Sequence, residues 1–343
     1  MADAEDQSPD TNVEAADAVG KPLDMMETLM KNAIKVFGWA PRDVYHGVFD
    51  LPFIREEHDR AVQHADYSQL ATFATQFSRE LHLTSLSHEL IAVDPIADLL
   101  NHDSWKIDFK SAWVLGKVMD SARSQKDAYF WNVYNSLRRV VGASALAGHS
   151  FEEIVHRIFA HGWDDKFLRS EPTPMVSDGN DPPTFSADPS STPAPGSLLP
   201  PLSTSAMDAI AVDFKLKNLN VTVGDNKYYK PSIGNHALFD SFTVSREPSG
   251  AVLISVFRIT VSTTHGGSTE GYKHIRKITG HVKSLLKAGE PGTEIKVAYF
   301  LVCPEDKRCQ WSMPIGWNEV IQNKVVQNTH HGEAYCVRVR VPS

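Results

Sequence analysis

Two carboxylates and one basic stretch of this 343-residue chain could together support metal-assisted chemistry. Glu152 lies in an apolar stretch with helical spacing, and Asp240 stands beside Phe239 in a strand-like stretch, where an acid is disfavoured. A third stretch carries Arg258 and Thr260 two positions apart. Mg²⁺ prefers clustered carboxylate oxygens, and a cation beside them can position or activate a water molecule. The chemistry to which such residues point is phosphodiester hydrolysis.

Each of these residues also has an ordinary structural explanation. Glu152, like its neighbour Glu153, could be a solvated or helix-capping acid. Asp240 could face outward from its strand, and Arg258 could be the solvent-side residue of a strand packed through its apolar neighbours. The residue types alone therefore leave both readings open.

The sequence contains none of several familiar catalytic motifs. It has no GxSxG, HExxH or GxGxxG pattern, so serine hydrolase, zincin and dinucleotide-dependent chemistry lose their usual support. It also has no GxxxxGK[ST], so an intact phosphate-binding P-loop is absent from this sequence.

Three cysteines and two late histidines have side chains of types that bind zinc. Their spacing fits no standard zinc module, and two of the cysteines fall in apparent strands, so buried thiols are expected. So few cysteines favour a reducing compartment and argue against a disulfide framework. The residues are Cys303, Cys309, Cys336, His330 and His331.

The net charge of −8 is unevenly distributed along the chain. From Met207 to Ser343 there are 17 Lys+Arg and 12 Asp+Glu, a balance of +5, whereas residues 1–206 carry 17 against 30, a balance of −13. The acidity of the whole chain therefore does not exclude a polyanionic partner for the C-terminal part.

Composition and periodicity divide the chain into four kinds of segment. Residues 1–22 read as a disordered acidic tail, and residues 23–144 as a helical region. Residues 164–206 are dense in Pro, Ser and Thr and read as a flexible linker, although their PxxP-like pieces could bind a partner. Residues 145–163 and 207–343 frame that linker and combine one helix with strand-like alternation, which predicts an α/β domain.

The predicted order of that domain is helix, linker, three strands, helix and strand, with further C-terminal pieces. An amphipathic helix is expected at about 269–288, followed by a buried-looking strand at 294–303. This order resembles the core of the restriction-endonuclease-like superfamily. The predicted fold class is therefore α+β: an N-terminal all-helical region followed by a restriction-endonuclease-like mixed sheet flanked by helices.

Three stretches also resemble fungal Crinkler and retrotransposon-hot-spot (RHS) proteins. They are ALAGHSFEEIVHRIFAHG, YYKPSIGNHALFDSFTV and VLISVFRITVSTTHGGSTEGYKHIRKI, and the upstream GWAPRDVYHGVFD is similar to the end of the family's ATPase region. The resemblance implies a nuclease-like C-terminal domain, in some members preceded by a P-loop ATPase, and in effector members a role inside host cells.

The resemblance implies a Mg²⁺ site formed by Glu152 and Asp240. The family's third-strand acid and lysine fall on Arg258 and Thr260, so a cation stands where a metal ligand is expected, and it opposes metal binding. Two functions remain open. One is a DNA-engaging nuclease that uses Mg²⁺, with Thr260 or a water in the place of the lysine. The other is a non-catalytic module that binds nucleic acid or protein.

A nucleic-acid contact is expected from a loop histidine and a basic helix face. His265 precedes a helix whose polar face carries Lys273, Arg276 and Lys277, and all four could contact phosphates. A turn histidine and a solvated helix face explain the same residues. No apolar stretch is long enough to span a membrane, and Met1–Gly20 lacks the basic start of a signal peptide. The expected location is intracellular, cytoplasmic or nuclear, and the oligomeric state is left open.

Overall fold

A computed structural model gives the architecture as two compact units. The first comprises Met1–Ile96 and Ile107–Ser124, and the second comprises Ala97–Lys106 and Gln125–Ser343. The structure describes residues 22–38, 41–64, 72, 90–95, 105–122, 126–162, 172–187, 206–224, 227–232, 236–286, 292–317 and 332–342. The segment expected to be a disordered tail lies almost entirely outside these residues.

The first unit contains four helices and most of a two-stranded sheet among its described residues. The elements are α1 (Pro22–Phe37), α2 (Pro41–Phe49), α3 (Leu51–His64), β1 (Ile91–Pro95), β2 (Trp105–Phe109) and α4 (Ala112–Ala122). Phe37 and Ile54 are buried at the centre of the helices, and Trp113 packs against them. The paired strands β1 and β2 differ from the expected all-helical region, because short apolar runs do not distinguish strand from helix.

The second unit begins with two helices, α5 (Asp127–Leu137) and α6 (Ser144–His161). They pack together through buried aromatic rings, for example Tyr134 against Phe151 at 5.4 Å between ring centroids. The helix α5 had been placed with the N-terminal helical region, whereas the structure groups it with the sheet unit.

A ten-stranded mixed sheet forms the body of the second unit, in the order β5-β6-β7-β8-β10-β12-β3-β4-β11-β9. The strands are β3 (Thr173–Ser177), β4 (Thr184–Ala187), β5 (Asp208–Val212), β6 (Lys227–Pro231), β7 (Ser241–Arg246), β8 (Val252–Ile259), β9 (Thr264–His265), β10 (Ile295–Pro304), β11 (Gln310–Ser312) and β12 (Glu333–Val339). The prediction of a mixed α+β chain with a large mixed sheet is confirmed.

The central part of the sheet is an antiparallel meander followed by a crossover. Strands β6, β7 and β8 pair antiparallel in chain order, and the helix α7 (Glu270–Leu286) then leads to β10, which lies parallel to β8. Consecutive strand residues point to opposite faces. Tyr228 stacks on Phe159 of α6, whereas Tyr229 stacks on Phe242, which shares a core cluster with α7. The helices α6 and α7 therefore cover opposite faces of the meander.

The structure differs from the predicted flexible linker in one part of residues 164–206. Residues 173–187 form the strands β3 and β4, and β3 pairs with β12. Their apolar residues Met175 and Phe185 are buried in the main core. The Pro- and Ser-rich composition did not predict these strands, because few of their residues are apolar. Residues 163–171 and 188–205 lie outside the described residues.

None of the helices in the described part of the chain is long and apolar enough to cross a membrane.

Candidate functional site

The helix α6 brings Glu152 to the face of the meander through a chain of hydrogen bonds. Glu152 and His156 are four residues apart and so share one side of the helix. The Glu152 Oε1 and His156 Nε2 atoms are 3.3 Å apart, and His156 Nδ1 contacts the hydroxyl of Tyr228 on β6. Tyr228 is fully buried and His156 is 7% exposed, whereas Glu152 is 40% exposed. The carboxylate is therefore held by a buried histidine and is partly exposed to solvent.

The protonation states of these groups give the hydrogen bonds a direction. Burial, together with the nearby charge of Lys230, lowers the pKa of His156, so the imidazole is neutral. Burial raises the pKa of Tyr228 well above its usual range, so its hydroxyl keeps its proton. A neutral histidine has one donor and one acceptor nitrogen. The consistent arrangement has Tyr228 donating to Nδ1 and Nε2–H donating to the Glu152 carboxylate.

Asp240 lies just before β7 and is almost completely enclosed. Its backbone N–H donates to the Phe257 carbonyl at 2.8 Å, which extends the β7–β8 pairing and places it beside Arg258. The side chain is 8% exposed. Oδ1 accepts a hydrogen bond from Arg258 Nη1 at 2.8 Å, and Oδ2 accepts one from the Ile259 N–H at 2.6 Å. Both carboxylate oxygens are thus occupied by donors of the neighbouring strand.

Arg258 forms a largely buried ion pair with Asp240. Its side chain is 17% exposed, and Nη1 also donates to the His236 carbonyl at 3.1 Å. Its Nε is buried and has no hydrogen-bond partner among the described residues. Guanidinium groups suit buried ion pairs because they are weakly hydrated and offer several donors. The sequence predicts that Arg258 opposes metal binding. Its ion pair with Asp240 would act in that direction, because it occupies a carboxylate that a metal ion would need.

Lys230 adds a second cation to this site. Extending the β6–β7 pairing by one residue beyond Tyr229↔Phe242 places Lys230 opposite Ser241, the residue that follows Asp240. Two residues after Tyr228 on the same strand, it shares the face covered by α6. Its positive charge lowers the pKa of both Glu152 and Asp240. The charge of the half-buried Lys230 therefore reaches both carboxylates.

The charge of Glu152 acts on Asp240, so the two carboxylates lie in the same region of the second unit. Burial and the nearby charge of Glu152 raise the pKa of Asp240 to about 7, although the Arg258 guanidinium acts in the opposite direction. Burial also acts to raise the pKa of Glu152, but the hydrogen bond from His156 and neighbouring positive charges outweigh it, so the pKa is lowered. Glu152 is thus the permanently ionised member, and Asp240 is the member that takes up a proton.

The residues at this site do not fit a Mg²⁺ ion. Mg²⁺ demands near-octahedral oxygen coordination, and one or two free carboxylates usually hold it. Here Asp240 is already paired with the Arg258 guanidinium, and one Glu152 oxygen lies 3.3 Å from His156 Nε2. No cluster of three or more potential metal ligands occurs in the described parts of the chain. The positive charges of Arg258 and Lys230 offset the negative charges of Asp240 and Glu152.

Thr260 occupies the position that the resemblance assigns to a lysine, and its hydroxyl is used in a local turn. The residue is 8% exposed, its N–H donates to the Val302 carbonyl at 2.9 Å, and its Oγ1 accepts the Ser262 N–H at 3.0 Å. These contacts give Thr260 a structural explanation at the end of β8.

The residues expected to contact phosphates are not equally available. Lys277 donates to the backbone carbonyls of Phe214 and Leu216 at 2.7 and 2.5 Å, and Lys273 pairs with Glu270 at 2.6 Å. Arg276 is half-buried on the same helix. His265 lies in β9, and burial together with the Arg258 charge lowers its pKa to about 4, so it is a neutral neighbour of the site.

The expectation of buried thiols is confirmed. Cys303, Cys309 and Cys336 are all free and buried, and the sulfur atoms of Cys303 and Cys336 are 3.7 Å apart. His330 and His331 lie outside the described residues.

Sequence reasoning missed His156 and Tyr228. A histidine four residues after an acid on a helix was a detectable signal for the first. The second depended on the register of β6, which the sequence did not specify. Comparison with known proteins adds nothing to this assignment: no family model, no curated protein and no solved structure matches the chain.

Proposed function

We propose that the second unit is a restriction-endonuclease-like domain that engages DNA through the site around Asp240. The order of its elements supports this: α6, the antiparallel meander β6–β8, the crossover helix α7 and the parallel strand β10. The predicted acids also lie on the elements where such a core would carry them, Glu152 on the helix and Asp240 at the second strand of the meander.

The resemblance to Crinkler and RHS proteins adds to this proposal. We propose an intracellular protein of that type, acting in the cytoplasm or nucleus, whose C-terminal domain is nuclease-like. Its support is the residues quoted above, the ion pair of Arg258 with Asp240, and the effect of the Glu152 charge on Asp240.

The domain is proposed to bind DNA without hydrolysing it. The observation that carries this is the ion pair between Asp240 and Arg258, at 2.8 Å and largely buried. A bound cation would have to displace a guanidinium that is already hydrogen-bonded to the carboxylate and to a backbone carbonyl. Because Arg258 and Lys230 offset the charges of Asp240 and Glu152, a phosphate can approach without net repulsion from the site.

One observation favours a second candidate, Mg²⁺-dependent phosphodiester hydrolysis. Glu152 and Asp240 lie close enough for the charge of one to raise the pKa of the other, as paired carboxylates of hydrolytic sites do. This candidate requires the Arg258 contact to open when substrate binds.

Two measurements on the full chain separate these functions. Fluorescence anisotropy with a labelled duplex, over a series of salt concentrations, should show DNA binding that weakens steeply with salt. Supercoiled plasmid incubated with the protein and Mg²⁺ or Mn²⁺ should stay intact. Nicking that disappears in Asp240→Asn would establish the hydrolytic candidate instead. Absence of DNA binding even at low salt would refute the proposed function in either form.

A further inference from the structure

We infer that Lys215 and Lys217, in the segment between β5 and β6, contact the phosphates of DNA together with the polar face of α7. The inference rests on the proposed function and deepens it, because it names the surface along which the DNA backbone runs. That surface consists of residues 213–221 and α7, and we call it the basic surface.

The basic surface holds nearly all the positive excess of the C-terminal part of the chain. Residues 213–221 and 270–286 carry 6 Lys+Arg against 2 Asp+Glu, a balance of +4. Residues 207–343 as a whole carry 17 against 12, a balance of +5, which leaves +1 for the remainder of that range. The charge asymmetry found in the sequence is thus concentrated on two segments. A polyanion is attracted more strongly to them than to the rest of residues 207–343.

Contacts with α7 hold the segment 213–221 in a defined position. The Lys277 ammonium donates to the carbonyls of Phe214 and Leu216 at 2.7 and 2.5 Å. The Phe214 ring also stacks on His274, with 4.3 Å between ring centroids. Lys277 therefore anchors the segment, and the lysines that the segment carries are left to contact the ligand. An anchored segment loses little conformational freedom when it binds a phosphate.

The two lysines of the anchored segment are exposed. Lys215 and Lys217 both face solvent, as does Lys283 on α7. Asp213, the acid of the segment, is half-buried, and its Oδ1 accepts the Lys215 N–H at 2.8 Å, so this carboxylate shapes the turn. Exposed ammonium groups can donate to phosphate oxygens from any of their three N–H bonds.

The basic surface adjoins the ion pair of Asp240 and Arg258. Arg258 Nη1 donates to the His236 carbonyl, and the His236 Nε2 and His274 Nδ1 atoms are 2.5 Å apart. His274 belongs to α7, so His236 contacts both the ion pair and the basic surface. A DNA backbone that passes the ion pair can therefore continue along α7 and the lysines beside it.

The test uses Lys215→Gln and Lys217→Gln, singly and combined, with Lys126→Gln as the matched loss of one charge. Lys126 is exposed and precedes α5, which packs on α6, on the opposite face of the meander from α7. The measurement is the affinity of the full chain for a labelled duplex between about 50 and 300 mM salt, a range over which phosphate contacts weaken.

Each lost phosphate contact should weaken binding about five- to tenfold at 0.1 M salt and reduce the slope of log K against log salt by about 0.9. The double variant should therefore lose about 1.8 of the slope. Lys126→Gln should change neither the affinity nor the slope. Lys217→Arg should keep the wild-type slope because it keeps the charge.

The outcomes distinguish the inference from the proposed function. Exposed substitutions of this kind should leave the melting temperature unchanged. If the double variant melts earlier, the single variants decide. A wild-type slope in the Lys215 and Lys217 variants, or an equal loss in the Lys126 variant, would overturn the inference and leave DNA binding to another surface. A wild-type protein that binds no DNA would refute the proposed function itself.

Discussion

Replacing Arg258 with Gln should destabilise the protein more at pH 8 than at pH 5. The substitution removes the cation that neutralises Asp240 and the donor that binds the His236 carbonyl, at a position where the two charged side chains are 17% and 8% exposed. Breaking a buried ion pair by removing one partner usually costs about 3–5 kcal/mol. How much of that cost is realised depends on whether Asp240 is ionised.

The pKa of Asp240 sets the pH-dependent part of this loss. It lies at about 7 in the folded protein against an ordinary value of 3.8. The stability contributed by Asp240 is therefore fully present below pH 3.8 and is lost as the pH rises through 7. At pH 5 the carboxyl is protonated with or without Arg258, so only hydrogen bonds are lost, about 1.5–3 kcal/mol. At pH 8 the Asp240 carboxyl of the variant can remain protonated. Because pH 8 is one unit above the Asp240 pKa of about 7, this adds at most about 1.4 kcal/mol to the loss.

Urea unfolding at pH 5 and pH 8 measures both parts. We expect a loss of about 2 kcal/mol at pH 5 and about 3 kcal/mol at pH 8. The matched control is Arg138→Gln, since Arg138 pairs with Asp306 at 3.0 Å where the acid is 49% exposed. That variant should lose about 1 kcal/mol at both pH values. An equal loss for Arg258→Gln at the two pH values would refute the raised pKa of Asp240, and a loss no larger than that of the control would refute the buried ion pair.

Three further substitutions test hydrogen bonding and packing in the second unit. Tyr228→Phe removes the hydroxyl that donates to His156 and leaves a buried acceptor, so the free energy of unfolding measured with urea should fall by about 1–3 kcal/mol; no loss would contradict the hydrogen bond. Gly271→Ala would make a new methyl group overlap Leu238, which should lower stability by about 1–3 kcal/mol. Gly280→Ala on the same helix places its methyl group in open space and should raise stability by about 0.5–1 kcal/mol. Thermal melting measures both variants, and equal effects would contradict the expectation.

The sequence predicted best the elements whose pattern is long and regular. The helix expected at about 269–288 is Glu270–Leu286, with the buried positions Ile275, Ile278 and Val282 on its apolar side. The strand expected at 294–303 is Ile295–Pro304, and it is buried along most of its length. In both elements the hydrophobic pattern extends over many residues, so it distinguishes helix from strand even where short stretches do not.

The hydrophobic pattern could not predict the short elements or the contacts between side chains. The strands β3 and β4 lie in a Pro- and Ser-rich stretch, and Met175, Phe185 and Ala187 connect them to the core. Lys277 resembled one more cation of a solvated face, and only the folded chain shows that it binds two backbone carbonyls. The network of Glu152 and Tyr228 required knowledge of which face of β6 meets α6, because a shift of one residue would reverse that face.

The local charges support the proposed binding function over the hydrolytic one. Two neighbouring carboxylates in a poorly solvated place must be neutralised, and in a hydrolytic site a metal ion can do this. Here two covalently attached cations, Arg258 and Lys230, meet the same electrostatic need. The exchange also changes what the site can bind, because a metal ion needs free carboxylate oxygens, whereas attached cations offer donors to a phosphate. This supports the proposal that the site binds a phosphate rather than a metal ion.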